Sequence, residues 1–580
     1  MKALPSGMSS FREVILSDRY YVDKTMFIPE LEKASNFLFL VRPRRFGKSL
    51  FLDMLSFYYD VLKKDQFETL FGNLFIGSNP TELRNSFQIL KLDFSQVSNN
   101  GEGIENNLEK YVSDRLDRFA LRYQDFYPEG FLKTMTEMDS SSRKINFLRD
   151  SANDCGHNLY LIVDEYDNFT NDILNSVGRE RYEQITHDQG CYRNLFKTFK
   201  PTFNRILMMG ISPVTMDDLT SGFNIATNIS LRRIFNSILG FSEDDVAEMV
   251  RYYTGMGQIT QNAEEILPIM REWYNNYRFS PSAEGHCNSV YNPDMVLYYL
   301  GYLISDGEKP SNPEDPNTKM DYSKISQLVQ LDNHGSSNGE KLMRLVADES
   351  VKCTLIEHFP AEKIADSDNF FSLLFYYGLL TISGHGPVLA PDEQPRIIFS
   401  IPNRNTRQQY YTYIRRYFDT FNSEEVDRIK EMFHKMAFSG EWNAVLRYIL
   451  SRFSNSSGLH DLIGGERSLQ AYIKGFLGVN SYYLTQTELE LSHGFCDILL
   501  MPKKGLEEFV KHSYIIETKM IKTSSGETER KRAYTEAIEE LSKYATDPKL
   551  QYYTNGSKLH FIILIMKGFS IDSLEEISLS

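Results

Sequence analysis

The chain has 580 residues, more than one hydrophobic core can organise, so two to four domains are expected. Its formal net charge of −15 excludes a surface coated in positive charge for sequence-blind nucleic-acid binding, but leaves room for a local basic groove. Five scattered cysteines, none in a C-x-x-C pair, argue against a disulfide framework or zinc ribbon; the absence of an apolar leader and of any membrane-length apolar run points to a cytoplasmic protein with no membrane partner.

In chain order, the first half carries four strand-length apolar runs: Phe37–Val41, Ile89–Leu92, Leu159–Val163 and Ile206–Met209. All but the second, which Lys91 interrupts, are continuous rather than alternating, as in strands buried on both faces. Helical patterns lie between them, at Ser49–Tyr59 and Glu102–Arg122, so the expected class is α/β, a doubly wound parallel sheet. A fifth strand is expected near Phe235–Gly240.

From about Ser242 to Asn455 amphipathic helices dominate, at Glu243–Tyr253, Glu264–Tyr274, Met295–Leu303 and Glu424–Phe453. The polar stretch Ser305–Lys319 contains Pro310, Pro313 and Pro316 and reads as a loop or linker. Strand-like runs return near Leu379–Ile382 and Arg396–Ile401, so this part reads as a mostly helical lid or linker region with a small β element. The end of the chain resembles a separate α/β domain: a helix at Ser468–Leu477, strands at Ser481–Leu491, Asp497–Met501 and Ser513–Lys519, a helix at Glu529–Tyr544 and a terminal strand at Leu559–Met566. The expected division is 1–241, 242–455 and 456–580.

The run Arg42–Leu50 (RPRRFGKSL) follows a buried strand and opens a helix. A phosphate loop of the form G-x-x-x-x-G-K-[ST] needs glycine for the backbone to close around phosphate, and a helix N-terminus to add its dipole and free N–H groups. Here Gly47, Lys48 and Ser49 supply the second half, Arg45 and Phe46 complete the loop, and Arg42 stands at the first glycine position. Lys48 would reach the β- and γ-phosphates of ATP and Ser49 would bind Mg²⁺. A plain strand-to-helix turn with an exposed lysine gives the same tripeptide. A second segment adds weight: Leu159–Val163 ends in Asp164 and Glu165, where an acidic pair would hold Mg²⁺ and polarise the attacking water. The strand Ile206–Met209 is expected between the other two, which would aim Ser212 at the γ-phosphate; a turn serine before Pro213 reads as well.

Near the C-terminus, Asp497 begins an apolar strand and Glu517-Thr518-Lys519 ends the next. Residues i and i+2 of a strand share a face, so Glu517 and Lys519 project together and Asp497 can meet them from the neighbouring strand. Asp497 and Glu517 could bind Mg²⁺ or Mn²⁺, and Lys519 could orient or deprotonate a water for phosphodiester hydrolysis. Glu466 and Glu490 are further acidic candidates. Strand ends often carry such residues for solubility alone. Basic residues nearby (Lys503, Lys504, Lys511, Lys522, Arg530) could track nucleic acid or form a solvated face.

Together these phrases resemble the bacterial AAA-ATPase-like proteins that carry a C-terminal PD-(D/E)xK nuclease-superfamily domain. The matching segments include YYVDKT (Tyr20–Thr25), FLVRPRRFGKSLFL (Phe39–Leu52), LIVDEYDNF (Leu161–Phe169), GISPVTMDDLTSGFNIATNIS (Gly210–Ser230) and VYNPDMVL (Val290–Leu297). The resemblance implies a P-loop ATPase sheet that binds ATP, a nuclease-like metal site at Asp497, Glu517 and Lys519, and nucleic acid, DNA or RNA, as a partner. It also makes Arg42 the family's own form of the loop. Arg278 becomes a candidate sensor arginine, with Arg232 and Arg233 as rivals, and a homo-oligomer that completes the site stays open. Two departures bear on nuclease activity: Glu540 where a glutamine is frequent, and Phe495 where a basic residue is common. The chain is then expected to be an ATPase controlling a nuclease, or else an ATP switch whose nuclease-like domain binds without cutting.

Overall fold

Continuous apolar strands need cover on both faces, and the first of two compact units supplies it. The computed structural model describes residues 1–98, 103–187, 190–214, 226–283, 288–310, 312–313, 337–385, 396–418, 423–455, 466–478, 480, 482–486, 489–491, 494–503, 506–554 and 556–579. Residues 1–316 with 352–405 form one unit, and residues 317–351 with 406–580 the other.

In the first unit, β1 (Phe37–Val41), β2 (Gln88–Asp93), β3 (Leu159–Asp164), β4 (Arg205–Gly210) and β5 (Thr227–Asn228) form a parallel sheet in the order β2-β3-β4-β1-β5. Every residue of β3 and β4 is buried, as central strands require. Because β4 lies between β1 and β3, the loops leaving the C-terminal ends of all three meet at one edge, the place where open α/β sheets bind ligands. The fifth strand is not at Phe235–Gly240. It is the short β5, while Arg233–Phe235 forms a single 3-10 turn whose Phe235 carbonyl accepts a hydrogen bond from Arg42.

Helix α1 (Lys48–Tyr59) starts at Gly47, whose φ of +89° lies in the left-handed region that favours glycine. It buries Phe51, Leu52, Leu55, Tyr58 and Tyr59. Helix α2 (Ile104–Tyr123) covers the open edge of β2, where the Ile89 and Asp93 N–H groups donate to the Tyr123 and Tyr111 hydroxyls at 2.9 and 2.7 Å. Beyond the sheet, α3 (Glu243–Gly255), α4 (Ala263–Tyr274) and α5 (Pro293–Ser305) share a core of Val246, Met249, Val250, Met270, Val296 and Leu300. Ser242 and Asp245 form a reciprocal capping box at the start of α3. An antiparallel hairpin, β6 (Thr381–His385) with β7 (Ile397–Ser400), is the small β element of this part. In the Ser305–Lys319 stretch, residue 311 and residues 314–319 lie outside the described residues.

In the second unit, the stretch expected as one helix over Glu424–Phe453 is two, Ser423–Ser439 and Trp442–Asn455. They part at Gly440, whose φ is +73° and where a Cβ would come within 2.8 Å of the His512 ring. Helix α6 (Glu466–Leu477) then leads into a mixed sheet of β8 (Tyr483–Gln486), β9 (Ile498–Pro502), β10 (His512–Ile521), β11 (Lys558–Lys567) and β12 (Ser570–Ile577), ordered β12-β11-β10-β9-β8. Strands β10 and β11 are parallel and the other neighbours antiparallel. Helix α7 (Glu527–Ala545) lays Ala533, Ala537, Leu541 and Tyr544 on Leu499, Ile515, Ile563 and Ile565. Leu559–Met566 is therefore not the last strand; β12 follows it at the sheet edge.

Candidate active sites

At the C-terminal edge of the first sheet, the loop after β1 turns through Arg45, with φ +67°, and Gly47 before entering α1. A left-handed arginine is uncommon; here Asp294 pairs with its guanidinium at 3.2 Å, and Phe46 packs edge-on to Tyr277 and Phe279. Lys48 is nearly buried, and its Nζ donates to the carbonyls of Arg42 and Pro43 at 3.2 and 3.1 Å. The same Nζ lies 3.7 Å from Glu165 Oε1. Asp164 is buried and accepts a hydrogen bond from the Ser49 side chain. Burial raises the Asp164 pKa, and the Ser49 hydrogen bond opposes it. Lys48, Ser49, Asp164 and Glu165 thus stand together around one space.

A cavity of about 270 Å³ opens beside Lys48, Ser49 and Glu165. The loop residues and Glu165 line one end of it. Its other wall comes from Tyr20, Tyr21, Leu239, Phe241 and Leu297, an apolar and aromatic surface suited to a planar base. Their joint role is not legible in the sequence, because they converge from three separate segments; the signals are the YYVDKT phrase, which holds Tyr20 and Tyr21, and VYNPDMVL, which ends at Leu297. Lys24 also lines the cavity, and Asp245 pairs with it at 2.8 Å.

Arg42 has a different task from the glycine whose position it takes. Its side chain is fully buried, with Nη1 donating to the carbonyls of Val41 and Ser230 at 2.8 and 2.9 Å and Nη2 to that of Phe235 at 2.7 Å. The guanidinium lies 4.2 Å from the Phe279 ring centroid, and burial pushes its pKa down to about 9. It ties the end of β1 to the segment after β5.

Ser212 is buried; its N–H donates to Asp167 at 2.7 Å, its hydroxyl oxygen accepts from Val214 N–H at 3.3 Å and it also hydrogen-bonds the Tyr377 side chain. Asp167, also buried, accepts from Ile211 N–H at 3.0 Å and Asn171 at 2.9 Å, so it braces the two loops against each other. Burial, then the charge of Glu165, raises its pKa to about 6. Arg278 sits between Tyr277 and Phe279, whose rings both face Phe46; its own N–H donates to Thr381 at 2.8 Å. Arg232 and Arg233 are exposed.

In the second unit, the antiparallel register of β9 with β10 brings Asp497 beside Glu517. Asp497 Oδ2 accepts from the Thr518 N–H and hydroxyl, each at 2.8 Å. Lys519 Nζ is 2.9 Å from Glu517 Oε1 and 2.6 Å from Glu540 Oε2 on α7. Glu466, at the start of α6, joins the group electrostatically, interacting with Lys519, Asp497 and Glu540. Among the acidic candidates it is one that the fold brings in; Glu490 and Phe495 have side chains outside the described residues.

This group is crowded with carboxylates. Burial, a hydrogen bond to Glu540 and the charge of Asp497 raise the Glu517 pKa to about 10. Burial raises Glu466 to about 7 and lifts Asp497 as well. Burial works to lower the Lys519 pKa, but Glu517 and Glu540 outweigh it and hold the ammonium charged. Glu517 Oε2 is buried with no hydrogen-bond partner among the described residues. An unpartnered carboxylate oxygen beside a second buried carboxylate fits a hard divalent cation. Among the described residues no set of three His, Cys, Asp or Glu is preset to hold a metal ion, so such a cation would keep several waters.

Among the described residues no helix is long and apolar enough to cross a membrane. A family profile described as "Predicted AAA-ATPase" matches residues 5–220, and one described as "PD-(D/E)XK nuclease superfamily" matches residues 464–576. The chain is also 27% identical over 315 residues to the "Uncharacterized protein in vnfD 5'region" of Azotobacter chroococcum mcd 1, which covers 51% of this chain and 52% of that protein. The chain thus spans about half the length of that relative.

Proposed function

We propose that this chain, an AAA-ATPase-like protein with a C-terminal PD-(D/E)XK nuclease-superfamily domain, binds and hydrolyses ATP in its first unit and uses the nucleotide state to control metal-dependent phosphodiester cleavage in its second. The observation that carries the first half is the convergence of Lys48, Ser49 and Glu165 on one cavity at the sheet edge, with Asp164 hydrogen-bonded to Ser49. Gly47 and the α1 N-terminus offer N–H groups to the phosphates, Lys48 meets the β- and γ-phosphates, and Arg45 and Phe46 shape the loop. Ser49 and Asp164 would hold Mg²⁺, and Glu165 would orient the attacking water. Ser212 and Arg278 act as sensors in this reading, each by moving when the γ-phosphate leaves.

In the second unit, Asp497 and Glu517 would hold a divalent cation, Mg²⁺ or Mn²⁺, and Lys519, whose ammonium stays charged, would position a water by donating to it. The cation supplies Lewis-acid activation and charge neutralisation at the phosphate. The protein acts in the cytoplasm on nucleic acid, and assembly into a homo-oligomer would bring a second arginine to the cleft.

The grip of two carboxylates on Lys519 favours a second reading, in which the domain binds nucleic acid or a protein without cutting. One experiment separates the two. The purified protein is incubated with linear, circular and single-stranded DNA and with RNA, in Mg²⁺ or Mn²⁺, with and without ATP, beside Lys519→Ala and Lys48→Ala. Cutting that disappears in Lys519→Ala and changes its ATP response in Lys48→Ala supports the controlled nuclease. Cutting no greater than that of Lys519→Ala, with ATP bound, leaves the switch.

A further inference from the structure

Lys91 is the residue that interrupts the apolar run of β2, and neither site above uses it. It stands between Ile89 and Asp93 on the open edge of the sheet, where residues of the same alternation turn their N–H groups toward α2. A second cavity of about 430 Å³ lies there, bounded by β2, the C-terminal half of α1 and α2. It shares no lining residue with the P-loop cavity.

Its charge runs against that of the chain. Lys63, Lys91, Arg115, Arg118 and Arg122 face two carboxylates, Asp53 and Asp60, in a protein whose net charge is −15. The three arginines come from α2 at spacings of three and four residues, which puts them on one helix face. Both carboxylates are committed to the frame. Asp53 accepts from Phe11 N–H at 2.9 Å and pairs with Lys91 at 3.2 Å. Asp60 is buried and accepts from Leu62 N–H at 2.9 Å and Tyr123 OH at 3.0 Å, besides pairing with Arg122.

Lys63 and Arg115 also lie against neutral groups, while the charge of Lys63 acts on Asp60 as well. Arg115 donates to Gln96 and lies over the Tyr111 ring, and Lys63 lies 5.2 Å from the Phe57 ring centroid. Among the described residues, Arg118 and Lys63 form no ion pair. Several fixed cations converging on a cavity of ligand size are what multidentate recognition of phosphate requires.

We propose that this cavity binds a phosphate-bearing ligand, either the sugar-phosphate backbone of a nucleic acid or a free polyphosphate. The ATPase-like unit would then carry a phosphate site besides its P-loop cleft. The assignment does not depend on ATP hydrolysis or on nuclease activity.

The test uses the full chain carrying Lys48→Ala, so that the P-loop contributes less to phosphate binding in every arm. Lys63→Ala and Arg118→Ala are added together; neither side chain is buried. Binding of labelled single-stranded and duplex oligonucleotides is followed by anisotropy, and binding of inorganic tripolyphosphate by calorimetry, over a series of salt concentrations. The variant should lose about tenfold in affinity at low salt, and the salt slope should fall by about 1 for each lost contact. Loss for oligonucleotides identifies nucleic acid as the source; loss for tripolyphosphate alone identifies a free polyphosphate. Arg118→Glu, read the same way, guards against a small effect of truncation. Unchanged affinity and slope for both probes, or no binding of either by the Lys48→Ala parent, overturns the proposal. The Lys63/Arg118 variant with Lys48 restored should turn over ATP as the wild type does, which keeps a failure here distinct from a failure of the P-loop reading.

Discussion

The ATPase-like and nuclease-like sites use the same residue types in opposite proportion. In the first, Lys48, Arg44 and Arg45 line a cavity whose lining carboxylates, Glu165 and Asp294, lie beside Lys48 and Arg45. In the second, Glu466, Asp497, Glu517 and Glu540 gather around Lys519. The first has donors and positive charge to offer an anion. The second has carboxylates to spare and is relieved by a cation. Net charge says nothing of this difference; only the local grouping does.

The sharpest way to break the comparison is to remove each lysine in turn. Lys519→Ala should lower metal-dependent cleavage by about 10²–10³-fold, the range for a lost donor at the reacting centre, and leave ATP binding intact. Lys48→Ala should lower ATP turnover by about 10²–10³-fold through loss of charge stabilisation at the phosphates. Single-turnover rates on both variants read both numbers. If each variant damaged both activities equally in the isolated assays, the two sites would not be chemically separate.

A stability experiment sharpens the same contrast. Arg42→Met keeps the bulk but removes three hydrogen bonds to carbonyls, so unfolding of the first unit should become easier by about 3 kcal/mol. Chemical denaturation followed by hydrogen exchange would locate the loss. The second unit should keep its midpoint, and a loss confined to it would contradict the role assigned to Arg42.

The pH dependence of the two units should differ as well. Asp167 and Glu517 both have raised values in the folded state, to about 6 and about 10. A raised carboxyl contributes stability that is full below its unfolded value and disappears as pH rises through the folded one. The Asp167 contribution is therefore gone by neutral pH, whereas that of Glu517 continues to fall toward about pH 10, joined up to about pH 7 by Glu466. In chelator, the second unit should lose stability between neutral and alkaline pH; Mn²⁺ should reverse the trend, because cation binding displaces the same protons. Calorimetry with and without Mn²⁺ checks the sign.

What was legible in the sequence follows from burial. β1, β3 and β4 are legible because strands covered on both faces carry charged residues only at their ends, where they do not break the apolar run. β12, Ser570–Ile577, escaped because an edge strand carries the alternating polar pattern of SIDSLEEI, with Leu574 buried and its neighbours more open. β5 is too short for any periodicity. The loop that lines one end of the cleft, Arg44–Phe51, is one contiguous run and is legible; the apolar wall of Tyr20, Tyr21, Leu239 and Phe241 is assembled by the fold and is not. Asp497, Glu517 and Lys519 were grouped from strand alternation alone, whereas the part played by Glu540 needed α7 to be laid against β10.

Glu540 gives the smallest but most discriminating prediction. Its carboxylate grips Lys519 and shares a hydrogen bond with Glu517, and that hydrogen bond is first among the effects that lower its own pKa. Glu540→Gln keeps the shape and a hydrogen-bonding oxygen for Lys519 but removes one negative charge. Two effects then oppose each other for a cation at Asp497 and Glu517. Loss of a nearby charge weakens the attraction, while loss of the partner that favours protonated Glu517 frees that carboxylate to bind. Glu540 contacts Glu517 directly, so the second effect should win, and Mn²⁺ affinity at neutral pH should rise by a few fold, with fewer protons released on binding. Calorimetry in buffers of different ionisation enthalpy reads affinity and proton release together. Weaker Mn²⁺ binding with unchanged proton release would mean that Glu540 supplies charge to the cation rather than guarding the proton on Glu517.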